Sequence, residues 1–378
     1  MHAEPGGEDV SRKAVICGAG VGGLTAGLAL KQSGFDVMVY ERHPELRTAG
    51  VGLNVWPNGV RVIQSLGLKD EFTEMANLLT RYRTFSSDGE MVGDEDVDAY
   101  RERYGAPLTG VFRRELNAMI ARALGDEHIS LGYEMTKVTD TGDGVTCEFA
   151  NGETVTGDVL IGADGVYSNI RTQLFGEQAF RSDMHVRWRG LFDVADAGID
   201  PQAEVDVIGD RGHLGWLPIG RGRAYWYAAG DGLDDKATAL EYFNSWTNTQ
   251  VPAVLAATPD DTIIRNELFD LAEPLQRWGK GRITLLGDAA HPMLPGVAQG
   301  ANQALEDAAT LTAKLVADSD SERGLRAYEA ARMPTATNVV KISRSLFDYD
   351  NKLDELNEVA NNPIFRRYAD VVEGKRAA

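Results

Sequence analysis

The segment Gly18-Ala19-Gly20-Val21-Gly22-Gly23 constrains this chain more than any other. It follows a short apolar run, Lys13 to Cys17, and precedes a helical pattern, Leu24 to Gln32, that Gly34 ends. Asp36 to Glu41 then alternates and is rich in β-branched residues, so it reads as a second strand. Strand, glycine turn, helix and strand make a βαβ unit. In such a unit the first glycine allows the tight turn and the second lets a pyrophosphate approach the backbone. The third lets helix and strand pack closely. The helix N-terminus offers free N–H groups and about half a positive charge to phosphates. Glu41 stands eighteen residues after Gly23, at the end of the second strand, where an acid accepts from ribose hydroxyls. Gly18, Gly20, Gly23 and Glu41 therefore point to a bound dinucleotide. Arg42 beside them lies over the adenine or in solvent.

The same region invites a different reading, because Ala14 to Leu30 is the longest apolar stretch. Five glycines interrupt it and a polar tail, Met1 to Ser11, precedes it. A spanning helix needs ~20 mostly apolar residues. A signal peptide needs a basic start and a small-residue cleavage site. Neither pattern is present. With 378 residues the chain is long enough for two domains, and 43% hydrophobic residues suffice for full cores. Lysine and arginine number 38 against 57 aspartates and glutamates, a net charge of −19. That charge repels nucleic acid and anionic membranes, and keeps a protein soluble. Cys17 and Cys147 are too few for a disulfide framework or a zinc cluster, so no metal is expected. They read as core residues of a cytoplasmic protein.

Further along, Pro57 onward is helical, residues 81–92 form a hairpin, and 93–107 are an irregular surface loop. Arg114 to Leu124 is an amphipathic helix, and residues 129–161 hold several short strands. His185–Val194, Ala203–Ile208, His213–Ile219 and Arg223–Ala229 are aromatic-rich strands between glycine turns, hence an antiparallel sheet. Arg282 to Leu286 returns to the type of the first strands, and two long helices follow, about 300–317 and 322–346. The fold class is α/β. It is a Rossmann-like nucleotide domain with an inserted antiparallel-sheet domain and C-terminal helices. The expected boundaries are a flexible tail at 1–11 and a nucleotide domain at 12–80, 108–180 and 280–345. A substrate domain spans 81–107 and 181–279, and a C-terminal helical segment 346–378.

Two further elements lie at strand ends. Asp164-Gly165-x-x-Ser168-x-x-Arg171 is a cofactor contact or merely an Asx-type helix cap. Gly287-Asp288-Ala289-Ala290-His291-Pro292 places an acid where it can accept from a sugar hydroxyl. Pro295 to Asn302 then opens a helix, whose first N–H groups suit a negative charge.

Taken together, GAGVGGLTAGLALKQSGFDVMVYER, GADGVYSNIR and GDAAHPMLPGVAQGANQALEDA resemble the class A flavoprotein monooxygenases, the para-hydroxybenzoate hydroxylase-like family. The salicylate hydroxylase-like branch is the most similar, and the resemblance runs from Lys13 to about Arg344. It implies FAD, with Gly18, Gly20 and Gly23 at the pyrophosphate and Glu41 at the adenosine ribose. It places Arg113 at the pyrophosphate and ribityl region, with Arg114 left in solvent, and gives the Val138 backbone to the adenine. Asp164 and Arg171 would serve FAD and the nicotinamide cofactor, and Asp288 the ribityl chain. Pro295, Gly300, Ala301 and Asn302 would lie against the flavin ring. His291 is family-like and reads as structural. Ala298 departs from the pattern, since the family has glycine there. If that position needs positive φ, alanine is strained by ~1–2 kcal/mol.

The implied activity is hydroxylation of an aromatic or heteroaromatic compound with O2 and NAD(P)H, through a flavin C4a-hydroperoxide. With one nucleotide fingerprint, NAD(P)H would dock transiently. A phenol reacts faster as phenolate, so the site wants a base near neutral pH. By family pattern His213 is that base and Tyr225, on the next strand, touches substrate. Asn54, Trp188, Trp216, Trp226 and Leu294 are further pocket candidates. The expected partner is a small aromatic substrate, bound by a monomer or homodimer. Rival readings are a flavin epoxidase acting on an alkene and a non-catalytic flavin-binding redox sensor.

Overall fold

The structure, a computed structural model, describes residues 11–46, 51–181 and 185–349. Most of the expected 1–11 tail and all of 350–378 lie outside these residues.

A six-stranded sheet forms the first layer. Its order is Gly279–Lys280, Ile283–Leu285, Val159–Gly162, Lys13–Cys17, Asp36–Glu41 and Ile129–Leu131. All pairs are parallel except the first. The central strands are buried on both faces, which is why Lys13–Cys17 and Val159–Gly162 read as unbroken apolar runs. The helix Val21–Gln32 packs between this sheet and the helices Arg113–Leu124 and Gly300–Ala317. It is buried from Val21 to Leu30, so its sequence is apolar all round rather than amphipathic. At Gly27 an added Cβ would stand 2.9 Å from Val39 and 3.2 Å from Leu124, which explains the glycine. A three-stranded antiparallel meander, Met135–Asp140, Val145–Phe149 and Thr154–Gly157, adjoins this layer. Among the described residues no helix is long and apolar enough to cross a membrane.

The second layer is a seven-stranded sheet. Its order is Ile264–Leu268, His185–Asp193, Arg223–Gly230, Gly212–Gly220, Ala203–Ile208, Arg81–Ser86 and Met91–Asp96. Every pair is antiparallel except Ala203–Ile208 with Arg81–Ser86. The four strands between 185 and 230 pair antiparallel as expected, and the hairpin at 81–96 joins them through the one parallel pair. The hairpin at 81–96 enters the sheet from a distant part of the chain, so no tight turn dictates its direction. Helices Lys236–Asn244 and Val251–Ala256 cover one face. The other face looks toward the first layer. A small sheet of Gly52–Val55, Thr109–Phe112 and Asn77–Leu78 bridges the two layers.

Candidate active site

A cavity of about 1320 Å3 lies between the two layers, open to solvent on one side. One end is built by the glycine turn. Gly18 has φ +112°, and a Cβ there would stand 2.2 Å from the Ala163 carbonyl oxygen. A Cβ on Gly23 would stand 1.9 Å from the carbonyl oxygen of Gly18. At Gly20 nothing lies within 4 Å, and the residue lines the cavity. The helix begins there without a side-chain cap, so its first amides are left for a ligand. Close packing at two glycines and open space at the middle one is the cradle a pyrophosphate needs, so this chain's residues fit FAD.

The cofactor candidates divide on this geometry. Gly20, Gly23, Arg113, Asp288, Pro295, Gly300 and Ala301 line the cavity. Arg113 starts its helix with the side chain exposed toward that space. Glu41 and Arg42 do not line it. The Glu41 carboxylate accepts from the Ala19 N–H at 2.9 Å and the His43 N–H at 3.1 Å, so it braces the turn, while Arg42 is exposed. Val138 also lies away from the cavity, and its N–H donates to Gln173 Oε1 at 3.0 Å. Asp164 is held at the start of a helix. Its carboxylate accepts from Ser168 Oγ at 2.6 Å and the Ile170 N–H at 3.2 Å, capping the helix Asn169–Phe175. Its neighbour Gly165 lines the cavity instead. Arg171 is 3% exposed and donates to the carbonyls of Ala289, at 2.9 Å, and Val166, at 2.7 Å. It ties the two flanking loops together.

The loop expected at the flavin ring is held from behind by a buried network. Asp307 is fully buried and accepts from Arg332 Nε at 2.7 Å, the Gly287 N–H at 3.0 Å and His291 Nε2 at 2.6 Å. Burial works against this carboxylate, but His291 and Arg332 outweigh it and hold its pKa down at about 2. Gly287 has φ +62°, and its amide bond to Asp307 sets the turn that presents Asp288. His291 thus has the structural role its sequence suggested. Ala298 has φ +50° and ψ 35°, the left-handed conformation at which alanine is strained. Asn302 does not line the cavity. Its Oδ1 accepts from the Trp56 N–H at 3.0 Å, and its Nδ2 donates to the carbonyls of Asn54, at 3.1 Å, and Ala298, at 3.0 Å. It fastens this loop to the strand Gly52–Val55.

At the far end, alternation along the strands decides which side chains meet the cavity. His213 and Tyr225 do, as expected. Tyr225 packs against Gly52, where a Cβ would stand 2.2 Å from its ring. Trp188, Trp216 and Trp226 do not. They sit on the opposite face, in the core beneath the covering helices. Trp188 Nε1 donates to the Leu233 carbonyl at 2.7 Å, and Trp226 Nε1 to Thr258 Oγ1 at 2.9 Å. Residues 213 and 216 differ by three, so a strand must send them to opposite faces. Asn54 and Leu294 line the cavity.

The same alternation reveals residues that the sequence reading missed. Arg187 and Arg189 flank Trp188, Tyr227 follows Tyr225 by two, and Glu204 and Asp206 lie on the neighbouring strand. Stepping by two from His213 and Tyr225 and following the strand pairs would have found them. Burial, helped by Arg187, drives the His213 imidazole down to about 3, and Arg187 Nη2 lies 3.1 Å from its Nε2. At neutral pH His213 is therefore an uncharged acceptor facing a guanidinium. It is poorly matched to the expected role of base, since an effective base titrates near the working pH. Burial also lowers Arg189 to about 10 and raises Tyr225 to about 12.

Comparison with known proteins accords with this geometry. The family described as FAD binding domain matches residues 11–343. The chain is 34% identical to the FAD-dependent urate hydroxylase of Klebsiella pneumoniae subsp. pneumoniae, over 90% of this chain and 91% of that protein. It is 32% identical to 6-hydroxynicotinate 3-monooxygenase of Pseudomonas fluorescens, over 92% and 93%. The crystal structure of Klebsiella pneumoniae HpxO complexed with FAD and uric acid superimposes with a TM-score of 0.86 at 31% identity, covering 96% of this chain and 95% of that one. A chain that this family matches over residues 11–343, and that builds a glycine cradle fit for a pyrophosphate, belongs to the FAD binding domain family and is an FAD-dependent monooxygenase.

Proposed function

We propose that this monooxygenase hydroxylates an aromatic or heteroaromatic small molecule, using O2 and NAD(P)H. The observation that carries the reading is the continuity of one cavity. It runs from Gly20 and Gly23, past Asp288 and the loop from Pro295 to Ala301, to the polar groups of the seven-stranded sheet. We assign substrate holding to residues 81–107 and 181–279. The amides at the start of the first helix would hold the pyrophosphate, and Asp288 would accept from a ribityl hydroxyl. The amides that open the helix Gly300–Ala317 would stabilise negative charge on the ring system. Bound FAD, once reduced, supplies an electrophilic oxygen from O2 to an electron-rich ring. Arg187 and Arg189 would hold an anionic or acceptor edge of the substrate. The apolar walls at Trp56, Leu294 and Tyr225, all buried, would exclude water from the reacting face. A single dinucleotide cradle is accounted for by FAD, so the nicotinamide would dock transiently and substrate would gate reduction.

Stopped-flow reduction of the FAD-loaded enzyme by NADH and NADPH, against a panel of phenols and hydroxylated N-heterocycles, tests this. The expected result is that a cognate compound accelerates reduction and emerges carrying one oxygen atom from labelled O2. Slow reduction that no compound accelerates, with hydrogen peroxide as the sole product, would refute it.

A further inference from the structure

The strand Ala203–Ile208 reads AEVDVI. Its period of two sends Ala203, Val205 and Val207 into the core beneath the covering helices. Glu204 and Asp206 point the other way, to the cavity. Two carboxyls two residues apart on one face, Glu204 buried and Asp206 half-buried, lie roughly 7 Å apart along the strand. Glu204 is 6% exposed. Its Oε2 accepts from Asn54 Nδ2 at 2.6 Å and its Oε1 from the Tyr227 hydroxyl at 3.3 Å. The Tyr82 hydroxyl donates to Asp206. Across the strand pair, Asp206 faces Gly215. A Cβ at that position would stand 2.0 Å from Asp206 Oδ1 and 2.7 Å from the Tyr227 hydroxyl. The glycine therefore leaves room for a carboxyl and a phenol in one plane. Four strands and the bridging strand at Asn54 converge to hold this pair, which a purely packing sheet face would not contain.

The charged surroundings set its proton count. Burial, then the charge of Asp206, raise the Glu204 carboxyl to about 8, and burial also raises Asp206. Arg187 opposes this at Asp206, whereas Arg189 lies beside Tyr225. His213 is uncharged at neutral pH. On the hairpin side, Glu95 accepts from the Tyr100 hydroxyl at 2.7 Å, and Arg103 lines the same cavity. With its carboxyl raised to about 8, Glu204 is mostly protonated near pH 7, and its carboxylate fraction grows as the pH rises.

Building on the proposed hydroxylation, we infer that Glu204, backed by Asp206, is the catalytic residue that takes the acidic proton of a ring O–H or N–H, the substrate being a hydroxylated or lactam-type heteroaromatic. In that step the substrate's X–H bond breaks and its electron pair stays on the ring. The proton forms a new O–H bond on a Glu204 carboxylate oxygen. Arg187 and Arg189 balance the anion so formed. Asp206 is a positioning residue that keeps Glu204 basic enough to act.

The test uses the FAD-loaded protein and its Glu204→Gln, Asp206→Asn and His213→Ala variants. Glutamine has the shape of the protonated acid, so folding is preserved. An infrared pH titration of wild type should show a carboxylic-acid C=O band that disappears near pH 8. The band should be absent in Glu204→Gln and should titrate at lower pH in Asp206→Asn. A wild type without that band at pH 7 overturns the proposal. The probes for turnover are uric acid, 6-hydroxynicotinate and 4-hydroxyquinoline. With any probe turned over, Glu204→Gln should keep FAD and its reduction but lose product formation 10²–10⁴-fold. The rise of kcat/KM through the Glu204 titration should vanish. A Glu204→Gln enzyme that couples as well as wild type, while His213→Ala does not, also overturns it. A wild type that turns over no probe sinks the hydroxylase reading alone, and the infrared titration still decides this one.

Discussion

Replacing Asp307 by asparagine should unsettle the flavin-side loop from behind without touching the cavity. The carboxylate is fully buried and carries three donors, from Arg332, Gly287 and His291. Asparagine keeps the volume, but one of its two atoms is an NH2 group that must face a donor. Two independent arguments set the magnitude. Removing one partner of a buried ion pair costs ~3–5 kcal/mol, because the other charge stays buried. Arg332 is 6% exposed and keeps Glu306 at 3.6 Å and Gln303 at 2.7 Å, so the lower part of that range applies. From linkage, a carboxyl held at about 2 rather than an unfolded ~3.9 contributes about 2.5 kcal/mol above both values. At about 2 °C per kcal/mol, the melting temperature at pH 7 should fall by roughly 5–7 °C. The pH dependence supplies the sign. A depressed carboxyl stabilises the fold above its unfolded pKa, and that contribution disappears as pH falls from about 4 to about 2. Thermal unfolding of wild type and variant from pH 7 to pH 2.5 should therefore show a gap that closes at the acid end. An unchanged melting temperature at pH 7, or a gap indifferent to pH, would refute the argument.

Three other outcomes follow from the same structure. Ala298→Gly relieves ~1–2 kcal/mol of left-handed strain and loosens the unfolded chain by ~0.4–1 kcal/mol, so urea unfolding should show a net gain of up to about 1.6 kcal/mol; a loss of stability would mean that alanine is unstrained there. Asp288→Ala should weaken FAD binding by ~1.5–3 kcal/mol, the value of a hydrogen bond to a charged acceptor, and flavin fluorescence titration of the apoprotein checks it; unchanged affinity would remove Asp288 from the cofactor site. Trp226→Phe should cost about 1 kcal/mol or more of stability through the lost Nε1–Thr258 hydrogen bond and the space the smaller ring leaves in the core, yet leave the KM of any substrate unchanged; an altered KM would return Trp226 to the pocket.

The nucleotide half of this protein is written locally. Lys13 to Glu41 spans one strand, one turn, one helix and one strand, and each glycine's role depends on neighbours a few residues away or on the strand it must touch. Ala298 is similar, since its departure from the family pattern already raised the positive φ that the structure has. The second dyad of readings at Asp164 was not local in this way. Capping and cofactor contact need the same acidic residue after the same strand, and the partners of its carboxylate, Ser168 and Ile170, appear only in the folded chain.

The sheet face is where sequence alone reached its limit. Period-two alternation is a property of a strand by itself, so it already set His213 apart from Trp216 and Arg187 apart from Trp188. Which face is covered by helices and which meets the cavity is decided by elements far along the chain, Lys236–Asn244 on one side and Gly52–Val55 on the other. Aromatic residues satisfy either environment, and the three tryptophans went to the dry one. The carboxyl pair depended on tertiary structure still more. Asn54, Tyr82, Glu204, Asp206 and Tyr227 come from four strands, and only strand pairing brings them together. A carboxyl's proton affinity is set by burial and by nearby charges, not by its sequence neighbours, so the titration of Glu204 and of His213 exists only in the folded chain.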